Sequence, residues 1–261
     1  MKKYLSDLTV VAAEKPRPDY VLLRLTDAGG PLPPMRPGQF VEVRVDGSPA
    51  TFLRRPISIN YVDPERNELW LLIHVVGEGT RALSRLAAGD RLNCLFPLGN
   101  GFSMPPAPGS RWLLVGGGVG TAPLLYFGSR LAAAGHEPCF LLGGRSAGDL
   151  LQLDLFGRFG PVYTTTEDGS MGCRGFVTDH PVWQEARFDG VATCGPKPMM
   201  QAVARLADAA GLPCEASLEN MMACGLGACL CCVEKTRTGH RCVCTDGPVF
   251  NIKELQWLTS E

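Results

Sequence analysis

Residues 222–232 read MACGLGACLCC, and this concentration of cysteine and glycine constrains the fold more than any other stretch. Cys224, Cys229 and Cys232 have the spacing C-x4-C-x2-C. This spacing is typical of the loop that binds a plant-type [2Fe–2S] cluster, in which thiolates converge on two irons. The sequence therefore predicts a metal-binding loop near the end of the chain.

A plant-type loop needs a fourth, more distant thiolate, which Cys242 or Cys244 can supply. Gly225 and Gly227 allow backbone conformations with positive φ, which other residues resist. In such a loop amide N–H groups can point at the sulfurs and tune the reduction potential of the cluster.

Structural zinc is the main alternative, because zinc also takes four cysteines. Zinc ligands usually come as two C-x2-C pairs, and the four-residue gap with its internal glycines fits that pattern poorly. A disulfide framework is a weaker third choice, because the 11 cysteines occur in a chain without a recognisable export signal. We therefore favour an iron–sulfur cluster.

The composition of the whole chain excludes several classes of protein. The chain has 261 residues, 45% of them hydrophobic, and a formal net charge of −1. This near-neutral balance argues against a nucleic-acid-binding protein. The uncharged stretch 112–129 is long enough to span a membrane, but its glycines and proline favour a buried strand, a tight loop and a helix start. We expect a cytoplasmic protein.

Three segments follow one another along the chain, and together they predict a β-barrel plus an α/β fold. Residues 1–102 contain alternating or apolar runs separated by turn formers, which predicts a small antiparallel barrel. Residues 103–214 alternate strands with helices, which predicts a parallel sheet. Residues 215–261 are too few to bury a core alone and should be organised around the metal centre.

Two elements of the predicted barrel suit a flavin nucleotide. FLRRPISI lies on a predicted strand, where Arg55 would lie beside a pyrophosphate and Ser58 could reach the edge of the flavin ring. Downstream, GEGTRALS places Gly79 and Thr80 at a helix start, where free amides and the helix dipole favour phosphate. The second element strengthens the interpretation of the first.

The α/β segment carries two candidate elements for a nicotinamide dinucleotide. VGGGVGTAPLL follows a strand and opens a helix, and its glycines let the backbone approach a dinucleotide. The predicted contacts in this loop are Gly116, Gly118, Gly120 and Thr121. TCGPKPMM ends another strand, and ligands bind at the carboxyl ends of parallel strands, so Cys194 and Gly195 would face the nicotinamide. We find no acid–base or nucleophile constellation, which suggests that cofactors carry the chemistry.

RRPISI, GEGTRALS, PLGNGF, GGGVGTAPL and CGPKPMM occur in an order that resembles the ferredoxin–NADP reductase superfamily. The tail MACGLGACLCCV…CVCTDGPVF narrows the resemblance to the electron-transfer subunits of class B, NAD-linked dihydroorotate dehydrogenases. This resemblance covers essentially the whole chain. It implies an FAD-binding barrel, an NAD-binding α/β domain and a [2Fe–2S] domain. It also implies a catalytic partner subunit that holds FMN, in a heterotetramer of two plus two subunits.

The resemblance implies a route for electrons and a set of contacts. Electrons would pass from dihydroorotate to FMN, then to the cluster, FAD and NAD⁺. The implied FAD contacts are Arg55, Pro56, Ile57, Ser58, Leu72, Ile73, His74, Gly79 and Thr80. The implied cluster ligands are Cys224, Cys229, Cys232 and Cys244. Cys244 is preferred to Cys242 because it directly precedes TDGPVF, while Cys231 and Cys242 are extra thiols that depart from the usual pattern.

Two rival functions remain open at this point. The chain could be the small subunit of an NADPH-dependent ferredoxin oxidoreductase or sulfide dehydrogenase, which shares all three segments. A zinc-stabilised binding module would leave the flavin elements unexplained. Arg145 ends a predicted strand and would favour NADP if it lay near the adenine ribose, whereas the resemblance favours NAD.

Overall fold

The strands predicted in the first part of the chain form an antiparallel sheet that curls on itself. The computed structural model describes residues 2–106 and 108–258. The strands of this sheet are β1 (Tyr4–Arg17), β2 (Tyr20–Thr26), β3 (Phe40–Val43), β4 (Arg55–Ser58), β5 (Tyr61–Asp63), β6 (Glu68–His74) and β7 (Arg91–Leu98). Their order is β4-β3-β7-β1-β2-β6-β5, and β4 also approaches β6, so the sheet curls into a half-barrel.

Alternate side chains along the strands point inward and fill the interior of this half-barrel. Leu23 and Leu25 of β2 face inward and lie opposite Leu71 and Leu69 of β6, and all four side chains are fully buried. Side chains of one face therefore share a single core, as a period of two residues requires. The short helix α1 (Glu78–Leu83) follows β6.

Strands and helices alternate in the next part of the chain and build a second, mostly parallel sheet. Its elements are β8 (Arg111–Gly117), α2 (Ala122–Ala133), β9 (Glu137–Gly144), α3 (Leu153–Phe156), β10 (Val162–Thr166), β11 (Cys173–Arg174), α4 (Val182–Glu185), β12 (Gly190–Cys194), α5 (Lys197–Ala209) and β13 (Cys214–Ser217). The parallel strands have the order β11-β10-β9-β8-β12-β13. The predicted fold class is thus confirmed.

Helices α2 and α5 pack in different ways. In α5 the buried positions are Met200, Val203, Ala204 and Ala207, which form one helical stripe against the sheet. Helix α2 is buried almost all round because it lies between the sheet and the barrel. Its Tyr126 packs in the core of the barrel and donates a 3.0 Å hydrogen bond to the carbonyl oxygen of Met35. This helix therefore joins the two sheets.

The cysteine-rich segment is stabilised by contacts with both sheets. It contains the antiparallel hairpin β14 (Val233–Thr236) and β15 (Gly239–Cys242), followed by β16 (Val249–Asn251). Strand β16 pairs with β13 and extends the parallel sheet by one antiparallel strand. Cys232 and Cys244 are buried in a hydrophobic cluster that also contains Phe40 and Leu98 of the barrel.

The division into 1–102, 103–214 and 215–261 remains a prediction, and residues 1, 107 and 259–261 of these ranges lie outside the described residues. The long uncharged stretch forms β8, a 3-10 turn and the start of α2, as predicted. No helix in the described parts of the chain is long and apolar enough to cross a membrane.

Candidate functional site

A cavity of about 530 Å³ lies where the half-barrel, the parallel sheet and the cysteine-rich segment meet. This volume lies in the usual range for cavities that hold small molecules and cofactors. Six residues predicted to contact FAD line one wall: Pro56, Ile57, Ser58, Leu72, Ile73 and His74. They come from β4 and β6, which are distant in the order of the sheet and meet only because it curls.

Arg55 and Gly79 lie beside this wall and contact each other. A Cβ atom added to Gly79 would lie 3.0 Å from Nε of Arg55, so the guanidinium group covers the start of α1. The Thr80 hydroxyl accepts hydrogen bonds of 3.0 Å from the amides of Val76 and Gly77 and thereby shapes the helix start. The two predicted phosphate-binding elements are thus brought together.

The side chain of His74 is held in place from outside the cavity. Its ring stacks on Tyr20 with centroids 4.5 Å apart and an angle of 9° between the planes. Its Nε2 atom also lies 3.6 Å from Oδ2 of Asp19. Burial, followed by the charge of Asp19, raises the pKa of Tyr20, so the hydroxyl stays neutral.

The opposite wall of the cavity comes from the nucleotide loop and from residues that the sequence analysis missed. Val119 and Ala122 contribute from the loop after β8, and the segment 218–222 contributes from the end of β13. Met222 lies two residues before Cys224, so this wall runs directly into the cysteine loop. The position of 218–222 at the carboxyl end of a parallel strand was the available sequence signal.

The loops after β8 and β12 touch backbone to backbone. These neighbouring strands are parallel, with Cys194 opposite Gly116. A Cβ atom on Gly120 would lie 2.4 Å from Cα of Gly195, so only glycine permits this approach. Gly118 has a φ of +57°, which a glycine adopts without strain. The predicted nucleotide elements therefore form one cradle.

The Cys194 thiol does not reach the surface of this cradle. It is fully buried, and burial raises its pKa well above the ordinary value for a thiol. Gly195 instead lines a second cavity of about 120 Å³. Glu219 lines both this cavity and the larger one, and the surrounding protein raises the pKa of its carboxyl group. Glu219 is a titratable group that the sequence analysis did not single out.

The candidate cluster ligands form two pairs of thiols. Cys224 lies near Cys229, and Cys232 lies near Cys244. The amide of Cys244 donates a 3.4 Å hydrogen bond to Sγ of Cys232. The amide of Leu226 donates a 3.3 Å hydrogen bond to Sγ of Cys224. This bond, together with one from the amide of Cys229, lowers the pKa of Cys224 to about 6 and favours the thiolate that metal binding needs.

The thiols of the cysteine-rich segment are not drawn together around a common point. Among the described residues, no group of three His, Cys, Asp or Glu side chains forms a ready-made metal site. Cys232 and Cys244 are buried, Cys242 is half-buried, and Cys229 and Cys231 are both exposed.

Comparison with known proteins agrees with this geometry. Residues 219–256 match the iron–sulfur cluster binding domain of dihydroorotate dehydrogenase B. A protein from Shouchella clausii, the dihydroorotate dehydrogenase B (NAD⁺) electron transfer subunit, is 42% identical over 226 residues, or 84% of this chain and 86% of the relative. The chain belongs to this family of electron-transfer subunits. The family member from Bacillus caldolyticus is 39% identical over 236 residues, or 88% of this chain and 91% of the relative.

This dihydroorotate dehydrogenase B family member also resembles a solved structure over nearly its whole length. The structure of an NADH-dependent reduced ferredoxin–NADP oxidoreductase superposes with a TM-score of 0.86 at 30% identity. The match covers 97% of this chain and 90% of the other chain. The predicted resemblance and fold class are both confirmed.

Proposed function

We propose that this chain is the electron-transfer subunit of an NAD-linked dihydroorotate dehydrogenase B, and that it passes electrons between a catalytic partner subunit and NAD⁺. The observation that supports this most is the meeting of three sites at one cavity. The predicted FAD wall, the loop of Val119 and the segment leading to Cys224 all border it. A short path between cofactors is what an electron-transfer subunit needs.

FAD fits the large cavity and the elements around it. The walls formed by β4 and β6 would hold the flavin ring, while Arg55 and the start of α1 would hold the pyrophosphate. When bound, a flavin supplies the exchange between hydride transfer and single-electron transfer. The protein orients the ring: the stack of Tyr20 on His74 fixes one wall, and Met222 closes the other.

A [2Fe–2S] cluster fits the two pairs of thiols. Cys224 and Cys229 would hold one iron, and Cys232 and Cys244 would hold the other. The amide of Leu226 already points at one ligand sulfur, which is the kind of contact that tunes a cluster. Apolar packing around Cys232 and Cys244 would exclude water from one side of the site.

NAD⁺ would bind in the cradle of Gly120 and Gly195, with the nicotinamide directed at the flavin cavity. Arg145 is exposed and lies 3.7 Å from Asp149, measured from Nε to Oδ2. Asp149 also accepts a 2.9 Å hydrogen bond from Arg17 of the barrel. The choice of NAD⁺ rests on the relatives that the chain matches, which are named for NAD⁺.

The catalytic partner would hold FMN and oxidise dihydroorotate, in an assembly of two plus two subunits. The test is reconstitution. The isolated chain, loaded with its cofactors, should not reduce NAD⁺ with dihydroorotate, and addition of the FMN subunit should produce that activity. Turnover of dihydroorotate by the isolated chain would contradict the proposal.

The similarity to the NADH-dependent reduced ferredoxin–NADP oxidoreductase supports one rival, a ferredoxin-linked subunit. The same preparation separates the two functions. Preferential reduction by NADPH, together with a failure to assemble with the FMN subunit, would favour the rival. Preferential reduction by NADH with assembly supports the dihydroorotate system.

A further inference from the structure

A buried carboxyl group lies in the barrel without a partner. Glu42 is in the middle of β3, between β4 and β7, and its side chain has no exposed surface. Both carboxyl oxygens are buried and neither has a hydrogen-bond partner. Burying an unpartnered carboxylate costs several kcal/mol. The valines beside it would fill such a position without this cost, so the carboxyl group needs an explanation other than packing.

The pleat of β3 directs Glu42 away from the barrel core and toward the cysteine loop. Val41 and Val43 pack in the barrel core, so Phe40 and Glu42 lie on the other face. Phe40 joins the hydrophobic cluster that contains ligand candidates of the cysteine-rich segment. A Cβ atom on Gly225 would lie 2.7 Å from Cγ of Glu42 and 3.1 Å from its Oε1. The carboxyl group thus presses against the residue that follows Cys224.

The nearest arginine does not neutralise this carboxyl group by direct contact. Arg54 donates hydrogen bonds to the backbone oxygens of Glu42 and Asn93, at 3.1 and 3.2 Å, and a further bond to the Asn93 side chain. In the described part of the chain, no ion pair of 4.0 Å or less involves Glu42. Burial raises the pKa of Glu42 to about 7, and the nearby charge of Arg54 offsets only part of this effect. Above that pH the carboxylate is charged, and it acts on the loop beside it through a medium of low dielectric constant.

We propose that Glu42 is a positioning residue of the cluster site, which supports the loop at Gly225 and lowers the reduction potential of the cluster through its charge. This inference rests on the cluster of the proposed function. Reduction adds an electron to the cluster, and a nearby negative charge in a poorly solvated region disfavours that addition. By lowering the reduction potential of the cluster, Glu42 would favour the transfer of an electron from the reduced cluster to FAD.

The test is the midpoint potential of the cluster, measured by a redox titration followed by EPR at pH 8.5. Glu42→Gln keeps the shape of the side chain and removes its charge, so the potential should shift upward. Glu68→Gln is the matched control. Glu68 is also a buried glutamate of the same sheet, but it accepts a 2.9 Å hydrogen bond from Trp70 and lies on β6. The control should keep the wild-type potential.

A second variant covers the case in which Glu42→Gln does not retain the cluster. Glu42→Asp keeps the charge and withdraws it from Gly225 by one methylene group, so the potential should shift in the same direction by a smaller amount.

An unchanged potential in a Glu42 variant that keeps its cluster, or an equal shift in Glu68→Gln, would overturn the role of Glu42 and leave the proposed function standing. Wild-type protein that contains zinc and no iron would overturn the proposed cluster, and the inference with it.

Discussion

Asn60 and Gln152 exchange two hydrogen bonds across the boundary between the half-barrel and the parallel sheet. Each side-chain amide donates to the carbonyl oxygen of the other at 3.0 Å. The amide of Asn60 also donates to the backbone oxygen of Ala122 at 3.1 Å, and Asn60 is fully buried. Because Ala122 lines the large cavity, these bonds connect one wall of the cavity to the half-barrel.

Asn60→Ala should therefore weaken both the fold and the cavity. The change removes both side-chain hydrogen bonds to Gln152 and the bond to the Ala122 oxygen, and a buried polar group left without a partner costs about 1–3 kcal/mol. Denaturant unfolding should show the loss, and retention of FAD should fall with it. Asn100→Ala is the control, because Asn100 also makes two side-chain hydrogen bonds but is exposed. Equal losses in the two variants would contradict this role.

Gly120→Ala should abolish binding of the nicotinamide dinucleotide while the barrel stays intact. The new methyl group would lie 2.4 Å from Cα of Gly195, so the two loops must separate. Flavin content should stay near wild type, and reduction by NADH should slow by at least about tenfold, because the cradle loses more than about 1.4 kcal/mol of binding energy.

Gly157→Ala is the matched control for this change. Its backbone is helical with a φ of −59°, and an added Cβ atom would make only an ordinary contact of 3.4 Å with the oxygen of Leu153. A Gly120→Ala variant that binds NADH as the control does would show that the two loops do not form the cradle.

The fourth cluster ligand should be Cys244. Cys244→Ser should lose most of the bound iron and sulfide, because the buried partner of Cys232 is removed. Cys242→Ser and Cys231→Ser should keep both, because neither thiol belongs to one of the two pairs. Iron and sulfide content per chain measures the difference. Loss of iron in Cys242→Ser with retention in Cys244→Ser would reverse the assignment.

Glu219 should make stability depend on pH in a defined direction. Glu219 is an exposed residue that faces both cavities, and partial desolvation by their walls raises the pKa of its carboxyl group. The folded state therefore holds this proton to a higher pH than the unfolded state does. The protonated Glu219 carboxyl group therefore contributes stability to the wild-type chain at low pH. This contribution is lost as the pH rises through the pKa that Glu219 has in the folded chain. The melting temperature of Glu219→Gln should rise relative to wild type between pH 5 and pH 8.

The control for this prediction is Glu65→Gln, an exposed position on a turn of the barrel. Its melting temperature should follow wild type across the same pH range. A difference between Glu219→Gln and wild type that stays constant with pH would show that the carboxyl group of Glu219 does not titrate differently in the folded and unfolded chains.

The sequence predicted those parts of the site that depend on local backbone geometry. The glycines around Gly120 and Gly225 indicated loops that must approach a neighbour or adopt a positive φ, and both do so. The strand that carries Arg55 was also predicted, although its four residues are all half-buried and do not alternate. Such features depend on residues close together in the chain, so single-sequence patterns reveal them.

The parts that the sequence did not predict depend on contacts between distant segments. Glu42 looks like an ordinary strand residue until the cysteine loop covers it, and Glu219 becomes a cavity residue only where three segments meet. The addition of β16 to the parallel sheet was missed for the same reason, since its partner β13 lies more than 30 residues earlier in the chain.

The absorbance spectrum of the purified chain, with iron, sulfide and flavin assays before and after addition of NADH or NADPH, tests the proposed electron path most directly. We expect flavin bands with a broad red shoulder, about two irons and two sulfides per chain as a [2Fe–2S] cluster requires, and bleaching by NADH in preference to NADPH. A flavin spectrum with zinc and no iron would contradict this path, because the chain could not then pass electrons from a partner subunit through a cluster to its flavin.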